Sequence, residues 1–413
     1  MKKEEKQPHT PYSILHTSGN PRVAIVCDWL LGTGGAERVV LELHKMFPEA
    51  PIYTSQYNSN PKIWFGDKWF EDADIRTTWL QKLPKSLKKF LPLFRAWSFS
   101  RMDLSGYDLV ISSSGAEAKF VKTGNWQLAT GNSNVKGRTF HICYCHSPTH
   151  YYWERYEDYL KNPGFGKLNF LARFGLRILA GPMRRWDYKA AQRPDYFIAN
   201  SNYTKEQIKK YYGRDSEVIH PPVDIERFRQ RTKNPPSQRL RRAGNEQKAG
   251  FVTAGRQTPY KRIDLAVKAA TQLNVPLLVI GNGPEHKKLK RMAGHNVTFL
   301  TNVSDEEIPE KFARAEAFIF PGIDDFGIVA VEALAGGTPV IAYKAGGALD
   351  YVDKTTGVFF NEQTPESLAK TIGEFGKQSF NHSKVAERAE KFSIKIFRIR
   401  IKELVKQVAS GII

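Results

Sequence analysis

Two acidic side chains stand eight positions apart in a segment whose composition suits ligand binding. Asp324, next to Asp325, precedes Gly327 and an apolar run, and Glu332 lies inside that run. We predict a helix that begins near Asp324, which would separate the two carboxylates by about 12 Å at about 1.5 Å of rise per residue. They would therefore not share a proton. They suit hydroxyl groups at the two ends of an extended ligand, and the amides of the helix start suit an anion between them.

The alternative for this segment is structural, with Asp324 as a helix cap and Glu332 as a surface charge. Glu332, however, has Val331, Ala333 and Leu334 as its neighbours in the sequence. An unpaired carboxylate among apolar side chains would be costly, so we favour a ligand partner for Glu332.

Glycines and cations follow two other predicted strands. Gly281 and Gly283 come after an apolar run and allow close backbone approach to a ligand, although a plain strand-to-helix turn would look the same. Arg256 follows another strand, and Lys261 comes five residues later at the start of a helical pattern. Cations in these places suit a diphosphate, which a guanidinium can bind through two hydrogen bonds. The alternative is a solvated basic turn.

The elements that carry these residues repeat one pattern: a short apolar strand, a small or polar turn, and a helix. This repetition is typical of doubly wound α/β sheets with parallel strands, which bind ligands at the carboxyl ends of the strands. The predicted strands are 22–28, 107–112, 139–145 and 196–200 in a first series, and 250–254, 276–280, 297–300, 317–320, 339–342 and 357–360 in a second.

We therefore predict two Rossmann-like domains, 21–221 and 222–390, which face each other across a cleft suited to a nucleotide. A polar tail, 1–20, precedes them, and a basic connector, 226–248, follows the hinge between them. The last segment, 391–413, is predicted to be a helix that crosses back to the first domain.

The composition is that of a globular protein with excess positive charge. The 413 residues include 62 Lys and Arg against 42 Asp and Glu, a formal net charge of +20. This excess indicates an anionic partner, which would be a nucleic acid, an anionic membrane surface or a phosphorylated substrate. No apolar run reaches the roughly 18 residues that span a bilayer, and the start lacks the apolar part of a secretory signal. Cys27, Cys143 and Cys145 lack zinc or redox spacing, so we expect buried free thiols in a cytoplasmic protein.

The order of these motifs resembles the retaining glycosyltransferases of family 4, which have the GT-B fold. Their signature of two glutamates separated by seven residues is matched by Asp324 and Glu332, with Asp in the first position. Within the family, Leu104-Ser-Gly-Tyr-Asp-Leu-Val-Ile-Ser-Ser-Ser114 and Asp324-Asp-Phe-Gly-Ile-Val-Ala-Val-Glu332 look most like the mannosyltransferases that build O-antigen and related surface polysaccharides from GDP-mannose. The family resemblance as a whole runs from Arg22 to the C-terminus. It is carried by Gly34-Gly-Ala-Glu37, Cys145-His-Ser-Pro148, Ile198-Ala-Asn-Ser201, Pro221-Pro-Val-Asp224, Gly255-Arg256 with Lys261, Gly281-Asn-Gly-Pro284, Gly337-Thr-Pro-Val-Ile-Ala342 and Gly346-Gly347.

The resemblance implies roles for individual residues. Arg256 and Lys261 would hold the donor diphosphate, Asp324 the sugar and Glu332 the ribose, while His146 would face the transferred sugar from the first domain. The implied catalytic residues are thus His146, Arg256, Lys261 and Asp324. The implied donor-binding residues are Gly34, Gly35, Arg256, Lys261, Gly281, Gly283, Val303, Asp324, Asp325, Phe326, Gly327, Ile328 and Glu332. The implied donor is a nucleotide sugar, GDP-mannose, with no cofactor and no metal, because cationic side chains stabilise the leaving group.

Two basic stretches, 76–102 and 161–186, contain aromatic side chains and no acidic residue. Either they are ordinary helices that bury one face, or they form an amphipathic basic surface that binds anionic lipid. The second interpretation explains more of the charge, with Lys85, Lys88 and Lys89 among the lipid contacts. It predicts peripheral association with the inner face of the cytoplasmic membrane and a lipid-linked glycan acceptor.

Two other functions stay open at this point. The charge and the interleaving of basic and aromatic residues are also typical of nucleic-acid-binding proteins, but no recognisable nucleic-acid motif is present and we expect no such partner. A GT-B sugar-nucleotide epimerase would share the donor site, and it would convert its donor without an acceptor.

Overall fold

The computed structural model describes residues 21–60, 69–84, 91–124, 139–163, 166–229 and 250–410. The predicted tail, 1–20, and most of the predicted connector lie outside these residues. The chain divides into two compact units. The first contains the described residues up to Ala199, Lys205–Ile219 and the chain from Arg398, and the second contains Asn200–Thr204 and His220–Phe397.

The first unit is built on a seven-stranded sheet in which neighbouring strands are parallel. The strands are β1 (Val23–Cys27), β2 (Ile52–Thr54), β3 (Ile75–Thr77), β4 (Leu109–Ser114), β5 (Phe140–Cys145), β6 (Tyr196–Ala199) and β7 (Glu217–Val218). Their order is β3-β2-β1-β4-β5-β6-β7, so the winding direction reverses between β1 and β4. The carboxyl ends of β1 and β4 therefore flank the crevice where sheets of this kind bind ligands.

The helices along this part of the chain are α1 (Gly35–Met46), α2 (Pro92–Arg101), α3 (Tyr156–Lys161), α4 (Asn169–Ala190) and α5 (Asn202–Tyr212), with 3₁₀ turns at Trp79–Lys82, Ala118–Phe120 and Gly166–Leu168. Pro92 is the first residue of α2, where its missing N–H costs no hydrogen bond.

The second unit has a six-stranded parallel sheet in the order β10-β9-β8-β11-β12-β13, and its winding direction reverses between β8 and β11. The strands are β8 (Phe251–Ala254), β9 (Leu277–Ile280), β10 (Val297–Leu300), β11 (Phe318–Phe320), β12 (Val340–Tyr343) and β13 (Gly357–Phe360). All six were predicted, because each is a short apolar run followed by turn residues. The two parallel α/β sheets confirm the predicted fold class.

The helices of the second unit pack on both faces of this sheet, around two clusters of buried apolar side chains. They are α6 (Ile225–Arg229), α7 (Ile263–Leu273), α8 (His286–Met292), α9 (Ile308–Ala313), α10 (Ile328–Ala335), α11 (Pro365–Phe375) and α12 (His382–Arg388), with 3₁₀ turns at Pro259–Lys261, Gly346–Asp350 and Ala389–Phe392. The last helix, α13 (Ile394–Ala409), continues into the first unit from Arg398. There Arg398 donates to Glu42 of α1 at 2.7 Å.

Two further observations bear on the sequence-based expectations. Cys27, Cys143 and Cys145 are free and buried, as expected. In the described part of the chain, no helix combines the length and apolarity that crossing a bilayer requires.

Candidate active site

The carboxyl ends of β8 and β11, where the second sheet reverses its winding, each supply a charged side chain. Lys261 follows β8 and Asp324 follows β11, and the Lys261 ammonium donates to Oδ2 of Asp324 in an ion pair. The two side chains are only 20% and 10% exposed. The structure thus brings together two predicted site residues that are 63 positions apart in the chain. In the structure, Asp324 provides the counter-charge of this lysine.

Glycines let three loops approach this ion pair. A Cβ at Gly322 would lie 2.8 Å from Cα of Lys261, so only glycine allows the segment after β11 to pass the lysine backbone. A Cβ at Gly347 would lie 2.3 Å from Cα of Phe326. The Gly347 N–H donates to the Asp324 carbonyl at 2.9 Å, which fixes the turn after β12 against the segment that carries Asp324.

The helix after Asp324 begins later than predicted. α10 starts at Ile328, and Gly327 is its N-cap with φ 94° and ψ 58°, a left-handed conformation that favours glycine. Asp324 therefore precedes the helix instead of capping it, and the predicted 12 Å of helical rise to Glu332 does not apply. The Ala330 N–H donates to the Gly327 carbonyl at 3.0 Å, and the two amides before it, at the start of α10, are the ones that suit an anion.

Glu332 has a charged partner within the protein, which corrects the premise that its carboxylate is unpaired. It is 7% exposed on α10, and the Nη2 of Arg227 lies 3.5 Å from its Oε1. Nη1 of the same arginine donates to Asp305 at 2.9 Å. Arg227 was missed because it is 105 positions from Glu332 in the sequence (332 minus 227), so no local pattern connects them.

The loop after β8, which carries Arg256, packs closely against the glycine turn after β9. Arg256 is exposed, and its side chain pairs with none of the residues that the structure describes, which leaves its guanidinium available to a ligand. Gly281 and Gly283 have a structural role: a Cβ would lie 2.3 Å from the carbonyl oxygen of Gly255 in the first case and 2.5 Å from that of Gln257 in the second. The close backbone approach predicted for these glycines is thus made to the loop that carries Arg256.

The other predicted donor-binding residues of the second unit lie between β11 and the first residue of α10, except Val303, which follows β10. Ile328 is the first residue of α10, and Asp325 accepts from the Ser201 hydroxyl through its carbonyl. The Phe326 ring is buried against Tyr351, so only its backbone is left for a ligand. Val303 packs partly buried in the loop after β10.

In the first unit, His146 follows β5 and is held by the neighbouring strand. Its Nε2 lies 2.7 Å from the Ser113 hydroxyl of β4. Burial lowers the pKa of His146 to about 4, so the ring is neutral at pH 7 and can exchange hydrogen bonds without carrying charge. Gly34 is the N-cap of α1 in an extended conformation, and Gly35 is the first residue of that helix.

Asp28, which directly follows β1, was not predicted as a site residue. Its carboxylate accepts the N–H groups of Gly115 and Ala116 at 2.7 and 3.0 Å and that of Ala118 at 2.7 Å, so it fixes the turn after β4. Burial, reinforced by the charge of Glu117, raises the pKa of Asp28 to about 6. The available signal was its position at the end of a predicted strand.

Two buried ion pairs stabilise the same edge of the first sheet. Lys119 lies 2.8 Å from Asp187 and donates to the Thr149 hydroxyl at 3.1 Å, which ties the turn after β4 to the segment after β5. Arg95 of α2 lies 2.8 Å from Glu117. Removing one partner of such a pair would leave a buried charge uncompensated, so these four charges belong to the structural support of the His146 region.

The low pKa of His146 predicts that the free energy of unfolding decreases at acid pH. Unfolded chain binds a proton at this histidine below pH 6.5 and folded chain only below about pH 4, so stability is lost as the pH falls through this window. Between pH 6.5 and 4, the free energy of unfolding of wild type should fall by on the order of 1–3 kcal/mol more than that of His146→Gln, as measured by urea unfolding. His295→Gln, which removes an exposed histidine, should retain the wild-type slope. Equal slopes in wild type and His146→Gln would contradict the buried neutral ring.

Among the described residues, no three His, Cys, Asp or Glu side chains come together in a way that would hold a metal ion. The charged residues predicted for the second unit are two cations, Arg256 and Lys261, and two carboxylates, Asp324 and Glu332, of which the structure brings Lys261 and Asp324 into contact. Together with the amides of α10, this set suits a ligand that has a diphosphate between two hydroxyl-bearing ends.

Comparison with known families places two adjacent matches on the chain. The family described as Glycosyltransferase Family 4 matches residues 33–227, and the family described as Glycosyl transferases group 1 matches residues 237–392. Between them they cover most of both units.

Relatives with assigned names match over part of their length. The D-inositol 3-phosphate glycosyltransferase of Mycobacteroides abscessus is 30% identical over 205 residues, 46% of this chain and 46% of that protein. The GDP-mannose-dependent alpha-(1-6)-phosphatidylinositol monomannoside mannosyltransferase of Mycolicibacterium smegmatis is 30% identical over 197 residues, 42% of this chain and 51% of that protein. The chain thus spans about half the length of these curated relatives.

A solved structure matches over nearly the whole chain. Anabaena HepE in complex with UDP and glucose superposes with a TM-score of 0.61 at 20% identity, covering 94% of this chain and 100% of that chain. A likeness at this identity shows that the two proteins share a fold.

Proposed function

The chain belongs to the group 1 glycosyltransferases of family 4, which have the GT-B fold, and from this premise we propose that it is a retaining glycosyltransferase. We propose that it moves a hexose, mannose from GDP-mannose, onto a lipid-linked or polysaccharide acceptor in cell-surface glycan biosynthesis. The observation that carries the proposal is the pairing of Lys261 with Asp324 where the second sheet reverses its winding, beside the start of α10.

We propose a step for each charged group. When the bond between the anomeric carbon and the diphosphate breaks, negative charge develops on the leaving diphosphate. Lys261, the exposed Arg256 and the first amides of α10 stabilise that charge. Asp324, beside the lysine, accepts hydrogen bonds from sugar hydroxyls. Glu332, further along α10, accepts those of the ribose.

The choice of donor has separate support. The name of the M. smegmatis relative states dependence on GDP-mannose, and the sequence motifs resemble mannosyltransferases. The Anabaena structure contains UDP and glucose, so the shared fold accommodates another base and sugar. For this reason the nucleotide itself is the first thing to test.

A thermal-shift panel of GDP, UDP, ADP and their sugars tests the donor. GDP and GDP-mannose should raise the melting temperature most, because a ligand at 100 times its dissociation constant adds about 2.7 kcal/mol to stability. GDP-mannose incubated without acceptor should be recovered as GDP-mannose, and added lipid-linked glycan should release GDP. Conversion of the donor without acceptor would favour the epimerase, and stabilisation by UDP-sugars alone would contradict the GDP assignment.

We also propose an anionic membrane surface as a partner, because of one face of α4. The C-terminal half of α4 buries Ala180, Met183, Asp187 and Ala190. The N-terminal half instead exposes apolar side chains: Phe170 and Phe174 are each 65% exposed. The other exposed apolar residues here are Leu168, Leu171, Ile178 and Leu179. Together with the exposed Arg177, this face suits the boundary between lipid headgroups and acyl chains.

Of the residues that the sequence nominated for lipid contact, Lys85, Lys88 and Lys89 lie outside the described residues. Phe94 and Trp97 of α2 are 50% and 43% exposed. The ordinary interpretation, in which these aromatic side chains are buried on one helix face, is thus wrong for Phe94, Trp97, Phe170 and Phe174.

Replacing Phe170 and Phe174 together by serine should weaken binding to anionic vesicles at least about tenfold, because burying one such side chain contributes about 1.5–3 kcal/mol. Sedimentation with vesicles of anionic and of neutral lipid, at low and high salt, measures it. Ile396→Ser with Ile399→Ser, which removes two exposed apolar side chains from α13, is the matched control. An equal loss in both double variants, or binding indifferent to lipid charge, would contradict the assignment to α4.

A further inference from the structure

Arg227 contacts a predicted donor-binding residue, Glu332, but belongs to no predicted site. Its helix, α6, is fixed in the core by Phe228, which is fully buried and stacks on Phe312 of α9 with ring centroids 5.9 Å apart. The Arg227 guanidinium lies over the Phe228 ring at 4.8 Å. The backbone position of this arginine is therefore set by packing.

The guanidinium bridges two carboxylates from different elements. Nη2 lies 3.5 Å from Oε1 of Glu332 on α10, and Nη1 donates at 2.9 Å to Asp305. Asp305 belongs to the loop after β10, which also carries Val303. The Nε of Arg227 is buried and has no hydrogen-bond partner among the described residues. Among the described residues, the Arg227 guanidinium therefore pairs with the carboxylates of Glu332 and Asp305, and the packing of α6 sets its position.

We propose that Arg227 is a positioning residue that orients the Glu332 carboxylate toward the ribose hydroxyls of the donor. This inference rests on the proposed function, in which Glu332 binds the ribose. A carboxylate that is 7% exposed needs a nearby cation to stay charged and fixed in orientation. Arg227 supplies that cation, and Asp305 holds the arginine from the other side.

The inference predicts a specific change in ligand discrimination. If Arg227 acts through Glu332, its removal should weaken only the part of nucleotide binding that depends on ribose hydroxyls. Binding of a nucleotide without those hydroxyls should be nearly unchanged. A merely structural role would weaken both nucleotides together, which makes the ratio of their affinities the informative quantity.

The experiment measures, by isothermal titration calorimetry, dissociation constants for GDP and 2′,3′-dideoxy-GDP, and in parallel for UDP and 2′,3′-dideoxy-UDP. Wild type should bind the ribose form at least about tenfold more tightly, because a hydrogen bond to a charged group is worth about 1.5–3 kcal/mol. In Arg227→Met this ratio should fall to within about threefold of one, with the dideoxy affinity kept. Arg227→Lys should be intermediate, since an ammonium lacks the fork that reaches both carboxylates.

Arg229→Met is the matched control, because Arg229 lies on the same helix and pairs with Glu226 and Glu390. It should keep the wild-type ratio. A wild-type ratio in Arg227→Met overturns the inference but leaves the transferase proposal intact. A wild type that does not discriminate contradicts the ribose role of Glu332, and this inference with it. If Arg227→Met does not fold, a wild-type ratio in Arg227→Lys overturns the inference.

Discussion

Replacing Lys261 by alanine is expected to lower the rate of glycosyl transfer by about a hundredfold or more. The ammonium lies at the carboxyl end of β8, where it meets Asp324, and in the proposed reaction it stabilises the charge that develops on the leaving diphosphate. Removing one preorganised electrostatic donor of this kind typically costs about a factor of 10² to 10³ in rate. Steady-state transfer from GDP-mannose to a lipid-linked acceptor measures the loss.

The ion pair adds a second expectation for the same variant. Without Lys261, the buried Asp324 carboxylate loses its counter-charge, so some stability should be lost as well. Adding Asp324→Asn should restore stability without restoring transfer. Lys268→Ala, which removes an exposed lysine from α7, should change neither property. A Lys261→Ala enzyme that retains full activity would eliminate the diphosphate assignment.

The sequence was most informative for elements that a short run of consecutive residues identifies by itself. The strands β8 and β11 are apolar runs that end in turn residues, and their pattern placed Arg256, Lys261 and Asp324 at one edge of a parallel sheet. The structure has these strands as neighbours, with Lys261 in contact with Asp324. The roles of these residues remain predictions, because contact alone does not identify a ligand.

The sequence was least informative where a partner comes from a distant segment. Asp28 receives N–H groups from residues up to 90 positions away, and Arg227 reaches Glu332 from another helix. Neither pairing leaves a periodic or local pattern. The same limit applies to Gly281 and Gly283, whose need for glycine arises from the backbone of residues 255–257 and not from their own turn.

The sequence did not predict the very short strands, for a related reason. The strands β2, β3 and β7 have three, three and two residues, too few to show alternation, and none was predicted. Their extended conformation is set by pairing with longer neighbours, as β2 pairs with β1 and then β3 with β2. Propensity within such segments is too weak to decide their structure.

Replacing the carboxylates of Asp324 and Glu332 by amides, one at a time, is expected to show that they contact different ends of the donor. Glu332→Gln should weaken the binding of bare GDP about tenfold or more, because the ribose loses hydrogen bonds to a charged group and Arg227 loses one of its two carboxylate partners. Asp324→Asn should retain or strengthen the binding of bare GDP, because Lys261 is released from its ion pair and can contact the diphosphate. It should nevertheless impair transfer, since the sugar loses its acceptor.

Calorimetry with GDP and transfer assays with GDP-mannose on the same three preparations, wild type and the two variants, make this comparison. Asp264→Asn is the control for a carboxylate change near Lys261, because Asp264 pairs with Arg262 in the structure. It should leave GDP binding and transfer close to wild type. The two-ended arrangement requires that Glu332→Gln weakens the binding of bare GDP and that Asp324→Asn does not. An equal weakening by Glu332→Gln and Asp324→Asn would mean that both carboxylates act on the same part of the nucleotide, which their separate partners, Arg227 and Lys261, argue against.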